Sequence, residues 1–182
     1  KAITLMKEHF QDAAFDIVGS VNMGLSEKSS DIDVVAYVRC GSSCGDMIET
    51  CDYCLTIKKT LIKTLGDKYK VDIVDCINLN KVEQSIILED YECEETQRFV
   101  TYRAICRPVN YKLLAPIEDV LNEKAAYRKE LEGSIQAYLK IFATTSTHIQ
   151  SFEKYEARLK ALGIETPEFI RRKIKEYLQK PL

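Results

Sequence analysis

The sequence predicts helices and short strands folded around a small β-sheet, of the α+β or α/β class, with a C-terminal helical appendage. Three observations carry this. Short runs rich in β-branched residues recur through the first 80 positions, segments of helical apolar spacing separate them, and beyond Pro116 only helical spacing remains. The expected division is a sheet domain over residues 1–115 and a helical region over residues 116–182.

The elements follow in order. Ile3, Met6, Phe10 and Ala13 share one face of a helix over Lys1 to Ala14. A short apolar strand, Phe15 to Ser20, is stopped at Gly19, and a second runs from Asp31 to Val38, where valine and isoleucine suit a pleated surface. Gly41 to Gly45 is a loop. Ile48, Cys51, Leu55, Ile57, Leu61 and Leu65 set a helix over Met47 to Leu65, closed by Gly66-Asp67, and Lys70 to Leu79 is a third strand. Between Asn80 and Asn110 the acidic stretch Asp90 to Glu95 divides two short helices. Val120, Tyr127, Leu131, Ile135, Tyr138 and Phe142 then trace one face of a long helix, and Ile149 to Leu162 a second that ends at Gly163. Thr166-Pro167-Glu168 opens a third as N-cap, first-turn proline and first-turn acid. With no Gly/Ser linker, the helical tail is expected to pack on the sheet domain.

Composition narrows the functional classes. The chain has 182 residues, 28 of them acidic and 26 basic, for a net charge of -2, so it is neither a polycation nor an acidic tail protein. Forty-six per cent hydrophobic residues with only 7 Gly and 4 Pro exclude disorder as the main state. The charge is uneven: 14 basic and 20 acidic groups lie in residues 1–119, against 12 and 8 in residues 120–182. No apolar run reaches the roughly 18–20 residues of a bilayer span, and Lys1 to Phe10 lacks the apolar centre of a signal peptide. Seven cysteines are an odd number for a disulfide framework, so reduced thiols and a soluble, cytoplasmic protein are expected.

The chemistry concentrates in Val18 to Val35. Asp31 and Asp33 alternate along a strand, so both carboxylates face one way while Ile32 and Val34 face the core. Side by side they repel, and a hard divalent cation such as Mg²⁺ relieves that repulsion with oxygen ligands. Gly19 allows positive φ and close backbone approach, and Ser20 adds a hydroxyl where the strand turns into a helix whose N-terminus favours phosphate. A two-metal site needs a third acid. The Lys70-Val-Asp-Ile-Val-Asp75 strand offers Asp72 and Asp75, expected on opposite faces, so only one of them joins the site.

These residues resemble the nucleotidyltransferases of the DNA polymerase β type, especially the small prokaryotic ones. The pattern comprises Val18-Gly19-Ser20, Gly24, Ser30-Asp31-Ile32-Asp33-Val34-Val35 and Val71-Asp72-Ile73-Val74, and it covers roughly residues 1–80. The resemblance implies a mixed sheet flanked by helices, Gly19 and Ser20 at the nucleotide phosphates, and Asp31 and Asp33 on Mg²⁺. Asp72, preferred to Asp75 because it precedes two apolar residues, would assist metal binding or take the acceptor's proton. Many small relatives carry Arg before the second Gly; here Met23 stands there, and Lys28 is the substitute at hand.

The expected activity is transfer of a nucleoside monophosphate from an NTP, with two Mg²⁺ ions, to an acceptor hydroxyl on RNA, protein or a small molecule, releasing pyrophosphate. The alternative is a catalytically silent module of the same fold that binds nucleotide or a protein partner. Phosphatases and glycosyltransferases with Asp-x-Asp signatures place an apolar strand before the acids, whereas Leu25 to Ser30 here is polar. Cys40, Cys44, Cys51 and Cys54 could form a four-thiolate zinc site, but their helical setting among leucines favours core packing. His9 and His148 have no ligand partner at metal spacing, and the Arg171-Arg-Lys-Ile-Lys175 cluster reads as a solvated face.

Overall fold

Residues 2–23, 31–41, 51–66 and 68–133 are described by the structure, a computed structural model, together with isolated positions between 156 and 172. Strands β1 (Ala14–Ile17), β2 (Ile32–Val38), β3 (Val71–Asn78) and β4 (Arg107–Val109) form one sheet in the order β3-β2-β1-β4. β1 is antiparallel to β2 and β4, whereas β2 and β3 are parallel, so the sheet is mixed as expected. A parallel pair needs a crossover, which α3 (Asp52–Leu65) supplies.

Helices cover both faces. On one, Met6 of α1 (Ala2–His9) and Phe10 after it join Ile57, Leu61 and Leu65 of α3 over Phe15, Ile17, Val34, Ala36 and Val38. On the other, α4 (Leu79–Leu88), α5 (Glu94–Ile105) and α6 (Ala115–Glu123) bury Val82, Ile86, Phe99, Ile117 and Leu121 against Val35, Tyr37 and Ile77. Packed from both sides, β2 reads as a continuous apolar run from Val34 to Val38, and only its N-terminal end carries charge. No helix among the described residues is long and apolar enough to cross a membrane.

Several boundaries differ from the sequence reading for physical reasons. β4 was not expected, because three residues carry no periodicity of their own. It is fixed by pairing with β1 and by Asn110, in left-handed backbone at φ 60°, which donates from Nδ2 to Phe10 O and to Ala13 O. The long helix predicted beyond Pro116 is broken at Lys124: α6 stops there and residues 125–133 form a separate helix. Leu121 and Tyr127 both enter the core although six positions apart, a spacing one straight helix would not bring to the same face, and Val120 is exposed. The expectation of reduced thiols fails for one pair. Cys54 of α3 and Cys76 of β3 are joined by a disulfide, while the Cys40 and Cys51 sulfurs lie 3.5 Å apart. Most of the helical stretch predicted from Ile135 onward lies outside the described residues; the isolated described positions Glu156, Ala157, Lys160, Ala161, Glu168 and Arg172 are helical.

Candidate active site

The N-terminal ends of β2 and β3 lie side by side, and their parallel register sets Asp33 opposite Asp72. Asp31 precedes β2 by one residue. The neighbouring residues Ile32, Val34, Val71 and Ile73 all belong to the α1/α3 face, so the three carboxylates share the other. The structure thus brings Asp31, Asp33 and Asp72 together.

Gly19 abuts them. It begins α2 (Gly19–Met23) at φ 62°, and a Cβ built on it would lie 2.6 Å from Asp33 Oδ2. Only a residue without a side chain lets the backbone approach the carboxylate this closely in left-handed conformation. Val18 N donates to Asp33 O at 2.9 Å, which fixes the turn against β2, and Ser20 follows in the first turn of α2. Five residues are too few for a strong macrodipole, so the turn offers backbone proximity instead.

Electrostatics couples the three acids. The Asp33 pKa is raised above the ordinary carboxylate value, first by burial, then by repulsion from Asp31 and Asp72, with Lys70 opposing. Lys70 Nζ lies 2.5 Å from Asp31 Oδ2, and Lys58 Nζ of α3 lies 3.2 Å from Asp72 Oδ1. Among the described residues no three His, Cys, Asp or Glu side chains stand arranged to hold one ion, and Asp31 and Asp72 are each engaged by a lysine. The donor set still fits a hard cation: all its ligands are carboxylate oxygens, and Gly19 leaves Asp33 Oδ2 uncrowded.

Asp75 needs a correction. It was expected on the face opposite Asp72, but a bulge intervenes: Val34 pairs with Ile73 and Val35 with Asp75, leaving Val74 over. The extra residue resets the alternation, so Asp72 and Asp75 point to the same face. Asp75 is nevertheless engaged elsewhere, by Arg98 Nε at 3.1 Å, a Tyr102 hydroxyl and the Cys76 N–H. Burial raises its pKa in spite of these partners. It anchors α5 to β3.

A second buried charge cluster holds α5 to β1. Arg103 pairs with the fully buried Asp16 and with Glu118, and the Tyr37 hydroxyl donates to Asp16 at 2.5 Å. Burial pushes the Asp16 pKa up, with Arg103 opposing. A cavity of about 450 Å³ lies beside this cluster, lined by Phe99, Arg103, Tyr111 and Leu121 among others, but not by Gly19 or the three acids. The sequence reading missed Lys58 and Lys70, which only the crossover helix and the strand register carry to the carboxylates. Cys44, Lys28 and His148 lie outside the described residues. A family model described as a nucleotidyltransferase domain matches residues 1–131. No curated protein and no solved structure matches the chain.

Proposed function

Because the chain belongs to the nucleotidyltransferase domain family, we propose that it moves a nucleoside monophosphate from an NTP to an acceptor hydroxyl, using Mg²⁺ held by Asp31, Asp33 and Asp72. The acceptor oxygen bonds to the α-phosphorus, the bond from that phosphorus to the bridging oxygen breaks, and pyrophosphate leaves. The hydroxyl proton passes to Asp72, whose carboxylate is about half exposed. Two ions, when bound, neutralise charge on the leaving group and lower the acceptor's pKa.

The chain's own part is positioning. Gly19 and Ser20 take the triphosphate at the turn, Asp31 and Asp33 fix the metal-bearing end of β2, and Asp72 meets them from β3. The observation that carries the reading is the parallel register that sets Asp33 against Asp72, with a side-chain-free Gly19 on Asp33 Oδ2.

The test is incubation of the protein with each labelled NTP, Mg²⁺ and a cell extract, following pyrophosphate and the label on RNA, protein or small molecules. Transfer is expected for wild type and its loss for Asp31→Asn and Asp33→Asn, with the fold retained by circular dichroism. Full transfer in either variant would contradict the mechanism. Tight Mg–NTP binding without pyrophosphate release on any acceptor would instead identify a silent binding module.

A further inference from the structure

Two lysines occupy the carboxylate site from different elements. Lys70 immediately precedes β3 and pairs with Asp31, while Lys58 in the middle of α3 reaches Asp72. Their pairs differ in kind from the buried arginine pairs of this fold. Arg98 and Arg103 are largely buried and tie α5 to the sheet, whereas the Lys70 side chain is 78% exposed and Lys58 is partly exposed. Exposed pairs of this sort change an equilibrium by a factor of about 5 at most. A lysine ammonium on a flexible stem exchanges partners readily, where a guanidinium fork would lock onto one. Three carboxylates and two ammonium groups leave one negative charge in excess. Divalent ions would reverse that sign, freeing both ammonium groups beside a positive site that a triphosphate then fills.

We propose that Lys58 and Lys70 are displaceable counter-ions, holding Asp72 and Asp31 in the nucleotide-free protein and turning to triphosphate oxygens once metal takes the carboxylates. The inference rests on the function proposed above and adds two nucleotide-positioning residues to it. It also supplies phosphate-contacting cations to a chain that has Met23 where many of the relatives it resembles carry arginine.

Mn²⁺ titration followed by electron paramagnetic resonance, on the full chain without nucleotide, tests the first half. Lys58→Gln and Lys70→Gln are each expected to bind Mn²⁺ about 2- to 5-fold tighter than wild type. Lys63→Gln, a charge control on the same helix, should leave binding unchanged. For the second half, an NTP analogue with a methylene bridge between the α and β phosphates is titrated at saturating Mn²⁺. Both site variants should bind it about 2- to 5-fold more weakly than wild type. Unchanged Mn²⁺ affinity, an equal gain in Lys63→Gln, or unchanged analogue affinity overturns the inference while leaving the proposed function standing. Wild type that binds Mn²⁺ no better than Asp33→Asn overturns both.

Discussion

Substituting Gly19 by alanine brings a methyl carbon to 2.6 Å from Asp33 Oδ2 and 3.5 Å from its Cγ, at a backbone φ of 62°. Two effects add. Left-handed backbone costs a residue with a side chain about 1–2 kcal/mol, and the Asp33 carboxylate must swing away, because no Cβ tolerates that approach. A total loss of about 1–3 kcal/mol is expected, lowering the thermal midpoint by about 2–4 °C per kcal/mol for a chain of this size. Displacing a carboxylate by about 1 Å costs transfer on the order of 100-fold. The assays are thermal unfolding, Mn²⁺ binding and pyrophosphate release, measured against Gly133→Ala. A Cβ on Gly133, at the end of the helix over residues 125–133, meets nothing within 4 Å, so that variant should match wild type in Mn²⁺ binding and pyrophosphate release and unfold no earlier than wild type. Wild-type Mn²⁺ affinity and thermal midpoint in Gly19→Ala would refute the packing of the turn on Asp33.

Three further outcomes follow from the charges. Asp72→Asn should reduce transfer by about 100-fold or more, whereas Asp75→Ala should retain Mn²⁺ binding but lose about 2–3 kcal/mol in urea unfolding, because Arg98 and Tyr102 lose their acceptor. The folded chain holds the Asp33 proton to a higher pH than the unfolded chain does. Metal-free stability should therefore fall as pH rises through the folded pKa, Asp33→Asn should remove that slope, and Mn²⁺ binding should weaken on acidification at a higher pH than an unperturbed aspartate would set. Arg103→Ala leaves Asp16 buried without its cation, at a cost of about 3–5 kcal/mol. Because burial already raises the Asp16 pKa, chemical denaturation should find that variant partly rescued at lower pH, where Asp16 takes up a proton.

Much of the site was legible because its determinants are local. Period-two alternation put Asp31 and Asp33 on one face, and the freedom peculiar to glycine marked Gly19 as the turn, before any pairing was known. What escaped depends on contacts distant in sequence. The face of Asp75 turns on a bulge set by pairing with β2, the lysines on the crossover of α3, and the break at Lys124 on where Leu121 and Tyr127 find room in one core. The Cys54–Cys76 bridge joins residues 22 positions apart, and no spacing rule selects that pair from seven cysteines.

Val74 shows how a strand absorbs one residue beyond strict alternation without turning its neighbours over. It is 49% exposed and leaves the ladder without a partner, so a substitution there should be tolerated. Deletion should spare the faces as well: Ile73 and Asp75 would then be neighbours opposite Val34 and Val35, and Asp75, Cys76 and Ile77 would keep the sides of the sheet they occupy now. A slip of the pairing past this point, and not a change of length at it, is what would turn Asp75 away from Arg98.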